Sequence, residues 1–129
     1  MDKHLLSFIF KVSPEDYPIV GAHPKTGDVM EQRVFKELAE IVGEDWAYRS
    51  PEAIEPYTRA GIQVERCIDA VLLPGSVAEV QAIVRIAAKH QAALYPISTG
   101  RNWGYGSANP VQDNNVIVDL SRMDSIREV

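Results

Sequence analysis

Between Cys67 and Ser98 the chain changes its apolar period twice, and this limits the fold more than any other feature. "CIDAVLLP" is a short β-branched and leucine-rich run closed by Pro74-Gly75, the pattern of a buried parallel strand. Ser76-Val77-Ala78-Glu79 follows, with serine and glutamate at the spacing that lets a hydroxyl and a carboxylate each satisfy a free N–H of a first helical turn. Val77, Val80, Ile83, Val84, Ala87 and Ala88 then recur at helical spacing through His90, and the small alanines let that helix approach a sheet closely. "ALYPIS" reads as a second strand and "NVIVDL", after the turn "QDNN", as a third running from Asn115 to Leu120. Strand, helix and strand in this order predict a βαβ unit whose right-handed crossover makes the first two strands parallel. In open sheets of this kind ligands bind outside the carboxyl ends of the strands. The segment that leaves the second strand starts at such an end.

That segment, "PISTGRNWGYGSANP" from Pro96 to Pro110, gathers Gly100, Gly104 and Gly106 with Asn102 and Asn109. Glycine permits positive φ and lacks the Cβ that keeps a ligand from the main chain, so a cluster can turn several N–H groups toward one anion. A cofactor phosphate is the expected anion. A nucleoside-triphosphate loop needs Gly-Lys-Ser/Thr opening a helix, whereas Gly100 is followed by Arg101-Asn102 and Gly106-Ser107 has no lysine. The dinucleotide fingerprint is excluded too, because Gly104 to Asn109 lacks the last glycine and leads toward Pro110 and a strand. Binding would therefore rest on main-chain N–H groups, helped by the Ser98 and Thr99 hydroxyls and the Asn102 amide. The plainer alternative is a long turn with Trp103 and Tyr105 packed as core aromatics.

The first half of the chain is less regular. Ser13-Pro14-Glu15-Asp16 can start a helical turn with serine as cap and proline at the first helical position, and "VGAHPKTGD" reads as loop. Met30, Val34, Phe35, Leu38, Ile41 and Val42 make one apolar face, which predicts a helix from about Asp28 to Val42 ended by Gly43. "EDWAYRSPEAIEPYTRAG" shows no sustained period and is expected to be an irregular connection that packs Trp46 and Tyr57 onto the core. Tyr48, Glu52 and Glu55 read as surface or linker residues, and Asp119 and Asp124 as structural hydrogen-bonding groups. Cys67, the single cysteine, suits a small buried core position. His4, His23 and His90 are too scattered for a dedicated metal site, so no metal is expected. A net charge of -5 without a basic cluster excludes a nucleic-acid partner. The apolar run in "HLLSFIFKV" is short and is followed by Pro14-Glu15-Asp16, unlike a signal peptide, and no run reaches the ~18 apolar residues of a membrane span. A cytoplasmic protein without a membrane partner is the simplest expectation.

"PISTGRNWGYGSANPVQDNNVIVDLSRM" closely resembles the loop-and-strand signature of the vanillyl-alcohol oxidase and p-cresol methylhydroxylase family of flavoproteins, with its Pro-x-Ser-x-Gly-Arg-Asn-x-Gly-Tyr-Gly pattern. "VLLPGSVAEVQAIVRIAAKHQAALY" is similar to the strand and helix that precede that loop, so the resemblance covers about Ile68 to Val129. It implies an α+β FAD-binding domain in which Pro96, Ser98, Thr99, Gly100, Arg101, Asn102, Gly104 and Gly106 hold the flavin diphosphate. It also implies that Tyr105 helps hold the phenolic oxygen of a small aromatic substrate. Relatives that attach FAD through a loop histidine would carry it where this chain has Trp103-Gly104-Tyr105, so that linkage is not expected. On this reading residues 1–66 are an N-terminal approach segment and 67–129 the first βαβ part of the domain. "SIREV" resembles the start of another strand, and a truncated domain is expected. Its partners beyond FAD and substrate would be a missing C-terminal substrate domain or a further copy of the chain.

Overall fold

A computed structural model describes residues 30–58, 66–98, 110 and 112–126 of the chain. Helix α1 (Gln32–Val42) leads through a 3-10 turn (Glu44–Trp46) into strand β1 (Ala47–Tyr48) and helix α2 (Pro51–Thr58). Strand β2 (Ile68–Leu72), helix α3 (Val77–His90) and strand β3 (Ala93–Ile97) follow, then strand β4 (Asn115–Asp119) and a 3-10 turn (Leu120–Arg122). The sheet is mixed, with strand order β1-β2-β4-β3 and only β1 antiparallel to its neighbour. The α+β class expected from the sequence is the one observed.

The expected βαβ unit is present with one topological difference. β2 and β3 are parallel to β4 and therefore to each other, but β4 lies between them. "NVIVDL" is apolar enough for that central place: every residue of β4 is buried. Among the described strands β3 takes the edge, which explains how it accommodates Pro96. An edge strand can lack one N–H on its outer side, and proline there also discourages pairing with another chain. The opposite edge is closed by β1, only two residues long.

Side chains alternate between two cores. Ala70, Leu72, Val116 and Val118 face α1 and α3 and pack with Val34, Leu38, Val42 and Ile83. Val71, Leu73, Ile97 and Ile117 face the other way, against Ile54 of α2. The register of β2 slips between Ile68 and Ala70, where Asp69 is an extra residue against β4. This bulge frees Asp69 from strict alternation. Its carboxylate, buried at 8% exposure, accepts the Met30 N–H at 3.3 Å.

Several expectations need correction. The first helix begins at Gln32, because the Met30 N–H is taken by Asp69 and its carbonyl by the Arg49 guanidinium. Its C-terminus is as expected, with Gly43 at φ 88° donating its N–H to the Ala39 carbonyl. Residues 44–58 are not an irregular connection. They form a 3-10 turn, the edge strand and α2, and α2 starts with Ser50-Pro51-Glu52, where the Ala53 N–H reaches the Ser50 Oγ at 3.3 Å. That is the same serine-proline start recognised at Ser13-Pro14. Trp46 is 38% exposed instead of packed onto the core, whereas Tyr57 packs half-buried against the second core as expected. Cys67 is exposed, not a core residue. It precedes the strand, held at the amino end of the sheet by its N–H to Asp113 at 2.9 Å and its carbonyl to the Asn114 N–H at 2.8 Å. The proposed start of a strand in "SIREV" shows no regular structure at Ser125 and Ile126; its last three residues lie outside the described ones.

Candidate cofactor-binding edge of the sheet

The carboxyl ends of β2, β3 and β4 meet along one edge of the sheet. β2 leaves through Leu73-Pro74-Gly75, where the Gly75 N–H donates to the Glu79 carboxylate at 2.8 Å and the Glu79 N–H to the Ser76 Oγ at 3.2 Å. The serine thus takes a first-turn N–H as expected, while the glutamate reaches the N–H of Gly75, one residue before the cap. β3 leaves through Ile97, which is buried, and Ser98, which is exposed. Ile97 is the register partner of Asp119 at the end of β4.

Asp119 is the polar hub of this edge. One carboxylate oxygen accepts the Tyr57 hydroxyl proton at 2.9 Å, and the other accepts the Ser121 N–H at 2.9 Å. The second contact is an Asx turn that starts the 3-10 turn Leu120–Arg122. Burial, with help from the neighbouring carboxylate, holds the Tyr57 phenol well above the ordinary tyrosine range, so it stays a protonated donor. The expectation that Asp119 serves structural hydrogen bonding is met. Arg122, carried by that turn, donates to the Leu73 carbonyl at 2.6 Å and lies over the Trp46 ring, 4.0 Å from its centroid. A Cβ at Gly75 would stand 2.9 Å from the Arg122 guanidinium, so glycine is what allows arginine to come this close.

Of the residues expected to bind cofactor, Pro96 sits exposed in the edge strand and Ser98 exposed directly after it. Thr99, Gly100, Arg101, Asn102, Gly104, Tyr105 and Gly106 lie outside the described residues, as does Trp103. The edge suits a nucleotide diphosphate in one respect: the glycine segment starts at the carboxyl end of a parallel strand. Beside that start, both oxygens of the buried Asp119 carboxylate are taken by donors. The Tyr57, Arg122 and Trp46 contacts were missed by sequence reading. "DLS" at residues 119–121 carries a local signal, since aspartate two residues before a free N–H favours such a turn, but pairs as distant in sequence as Tyr57 and Asp119 leave none.

Among the described residues no helix is long and apolar enough to cross a membrane, and no group of three or more His, Cys, Asp or Glu side chains could hold a metal ion.

A family model described as "FAD binding domain" matches residues 68–129. The chain is 39% identical over 95 residues to 1'-carboxy-chondrochloren decarboxylase of Chondromyces crocatus, a match covering 74% of this chain and 18% of the relative. It is 33% identical over 100 residues to the flavoprotein subunit of 4-cresol dehydrogenase (hydroxylating) of Pseudomonas putida, covering 75% and 19%. Among solved structures, p-cresol methylhydroxylase with substrate bound superposes with a TM-score of 0.70 at 33% identity, over 74% of this chain and 19% of that one. The chain thus spans about a fifth of the length of the relatives it matches. Sequence match, superposition and the mixed sheet with its helices agree: the chain belongs to the FAD-binding domain family of the p-cresol methylhydroxylase type, whose cofactor is FAD.

Proposed function

We propose that the chain is the FAD-binding portion of a flavin-dependent oxidoreductase that oxidises a 4-alkylphenol or an aromatic alcohol. The observation that carries this reading is the start of the glycine segment: Ser98 is exposed at the carboxyl end of β3, in a chain similar to enzymes whose names specify 4-cresol and p-cresol. Residues 67–129 supply the cofactor-binding unit, and residues 1–66 the approach to it.

In this reading the main-chain N–H groups around Gly100, Gly104 and Gly106 hold the diphosphate. The Ser98 and Thr99 hydroxyls, the Asn102 amide and the Arg101 guanidinium add donors, and Pro96 fixes the strand from which the segment leaves. FAD, when bound, supplies the two-electron acceptor. Tyr105 donates its O–H to the phenolic oxygen of the substrate, and stabilising negative charge on that oxygen favours loss of hydride from the benzylic carbon of the para substituent. The relative named as a decarboxylase favours a second reading, loss of CO2 from a carboxylated substrate at the same site.

The test is expression of the full open reading frame that contains these residues. A yellow product with bound FAD, bleached anaerobically by a 4-alkylphenol, supports the proposal, and Tyr105→Phe then slows that bleaching. CO2 release from a carboxylated analogue without phenol turnover favours the second reading. A colourless product that stays apo when FAD is added ends both.

A further inference from the structure

We infer that Tyr57 is a positioning residue for the FAD-binding segment, acting through its hydrogen bond to Asp119. The inference rests on the flavin reading above and adds a residue from outside the family match, which begins at residue 68.

Tyr57 belongs to α2, on the face of the sheet opposite α1 and α3. Its hydroxyl crosses to the last residue of β4 and meets Asp119 Oδ2 at 2.9 Å. Asp119 is the register partner of Ile97, and Ile97 is the last residue of β3 before Ser98. One hydrogen bond from α2 thus fixes the strand end that lies beside the start of the glycine segment. The other Asp119 oxygen holds the Ser121 N–H, so the same carboxylate sets the turn that brings Arg122 onto the Leu73 carbonyl. Tyr57 to Asp119 to Arg122 to Leu73 is a continuous set of polar contacts joining the ends of β2 and β4, with β3 paired alongside.

A group held this way orders the main chain before ligand arrives. Binding then costs less ordering entropy, and that saving appears as affinity. Without the phenol that ordering is lost and FAD binds more weakly. The effect does not require Tyr57 to touch the cofactor.

The experiment compares Tyr57→Phe, Asp119→Asn and Tyr48→Phe in the full open reading frame, reading the FAD Kd by quenching of flavin fluorescence and the melting temperature of the apo protein. Tyr48 is the control: it packs against the same core and makes no bond to Asp119. Tyr57→Phe is expected to raise the Kd about tenfold, Asp119→Asn to raise it as well because one amide oxygen is left for two donors, and Tyr48→Phe to leave it within about twofold. A purely structural role would lower the apo melting temperature and leave the Kd unchanged, which overturns the inference. So does an equal Kd change in Tyr57→Phe and Tyr48→Phe. Should Tyr57→Phe not fold, Asp119→Asn against Tyr48→Phe decides on the same criterion. A wild-type protein that binds no FAD removes the flavin reading and this inference together, whereas wild-type binding with an unaltered Tyr57→Phe Kd removes this inference alone.

Discussion

Gly75 allows a test in which the sign of a mutation depends on one distant residue. Its φ is not in the left-handed region, so alanine fits the backbone, and by unfolded-state entropy alone Gly75→Ala should stabilise by about 0.4–1 kcal/mol. The added Cβ, however, would lie 2.9 Å from the Arg122 Nη2 and 3.1 Å from its Cζ. Arginine is flexible, but here its tip has little room to retreat: Nη1 is 2.6 Å from the Leu73 carbonyl, and the Trp46 ring centroid is 4.0 Å from Cζ. Displacing it forfeits a hydrogen bond to a charged group, about 1.5–3 kcal/mol, and a partly exposed cation–π contact, about 0.5–1 kcal/mol. With the entropy gain deducted and the partial exposure of Arg122 discounted, a net loss of about 1–2 kcal/mol remains. For a chain of this size that is a fall of about 3–8 °C in melting temperature. In an Arg122→Ala background the obstacle is gone, and Gly75→Ala should raise the melting temperature by a few degrees. Thermal unfolding of the four proteins gives the coupling directly. An equal effect of Gly75→Ala in both backgrounds would refute the claim that arginine is what requires glycine there.

Two other outcomes are expected. Ile117, fully buried at the centre of β4, loses most of its contacts in Ile117→Ala, which should cost about 3–4 kcal/mol by denaturant unfolding; a loss below about 1 kcal/mol would mean that the second core is not packed as described. Burial raises the folded-state pKa of Asp69 above its unfolded value near 4, so the folded state binds that proton more tightly and stability falls as pH rises through the folded pKa. Asp69→Asn, whose amide oxygen can still accept the Met30 N–H, should therefore melt higher than wild type at pH 7, with the difference vanishing near pH 3.5; a constant difference across that range contradicts the assignment.

The parts that could be read from sequence are those governed by neighbours in the chain. The Ser76–Glu79 start, the helix through His90, the β2 and β4 runs and the Gly43 stop all follow from local rules, and all are present. What could not be read depends on distant partners. Asp28 to Glu31 has helical character in isolation, yet Asp69 and Arg49 draw Met30 out of it. Cys67 has the chemistry of a core residue but falls one position before the strand. α2 is a different kind of miss, because Ser50-Pro51-Glu52 carries a local start signal that the aromatic and proline content of its surroundings obscured. At the candidate site the pairing of Tyr57 with Asp119 spans 62 positions, and no pattern of composition or period could announce it.

The strand order also bears on what the glycine segment is for. A tight hairpin would join antiparallel neighbours, but β3 and β4 pair in parallel from Ala93 with Asn115 to Ile97 with Asp119. Residues 98–114 therefore have to link the carboxyl end of one strand to the amino end of its neighbour. The distance is the length of a five-residue strand, about 16 Å at about 3.3 Å per residue, which on the order of five extended residues could cover. The segment is several times longer than that, and its composition is not the alanine and leucine of a crossover helix. Length beyond what closure needs raises the entropic cost of folding only slowly, but it stabilises nothing by itself. A long, glycine-rich connection that begins at Ser98, on the carboxyl edge where ligands of open parallel sheets bind, fits the proposed role in holding FAD.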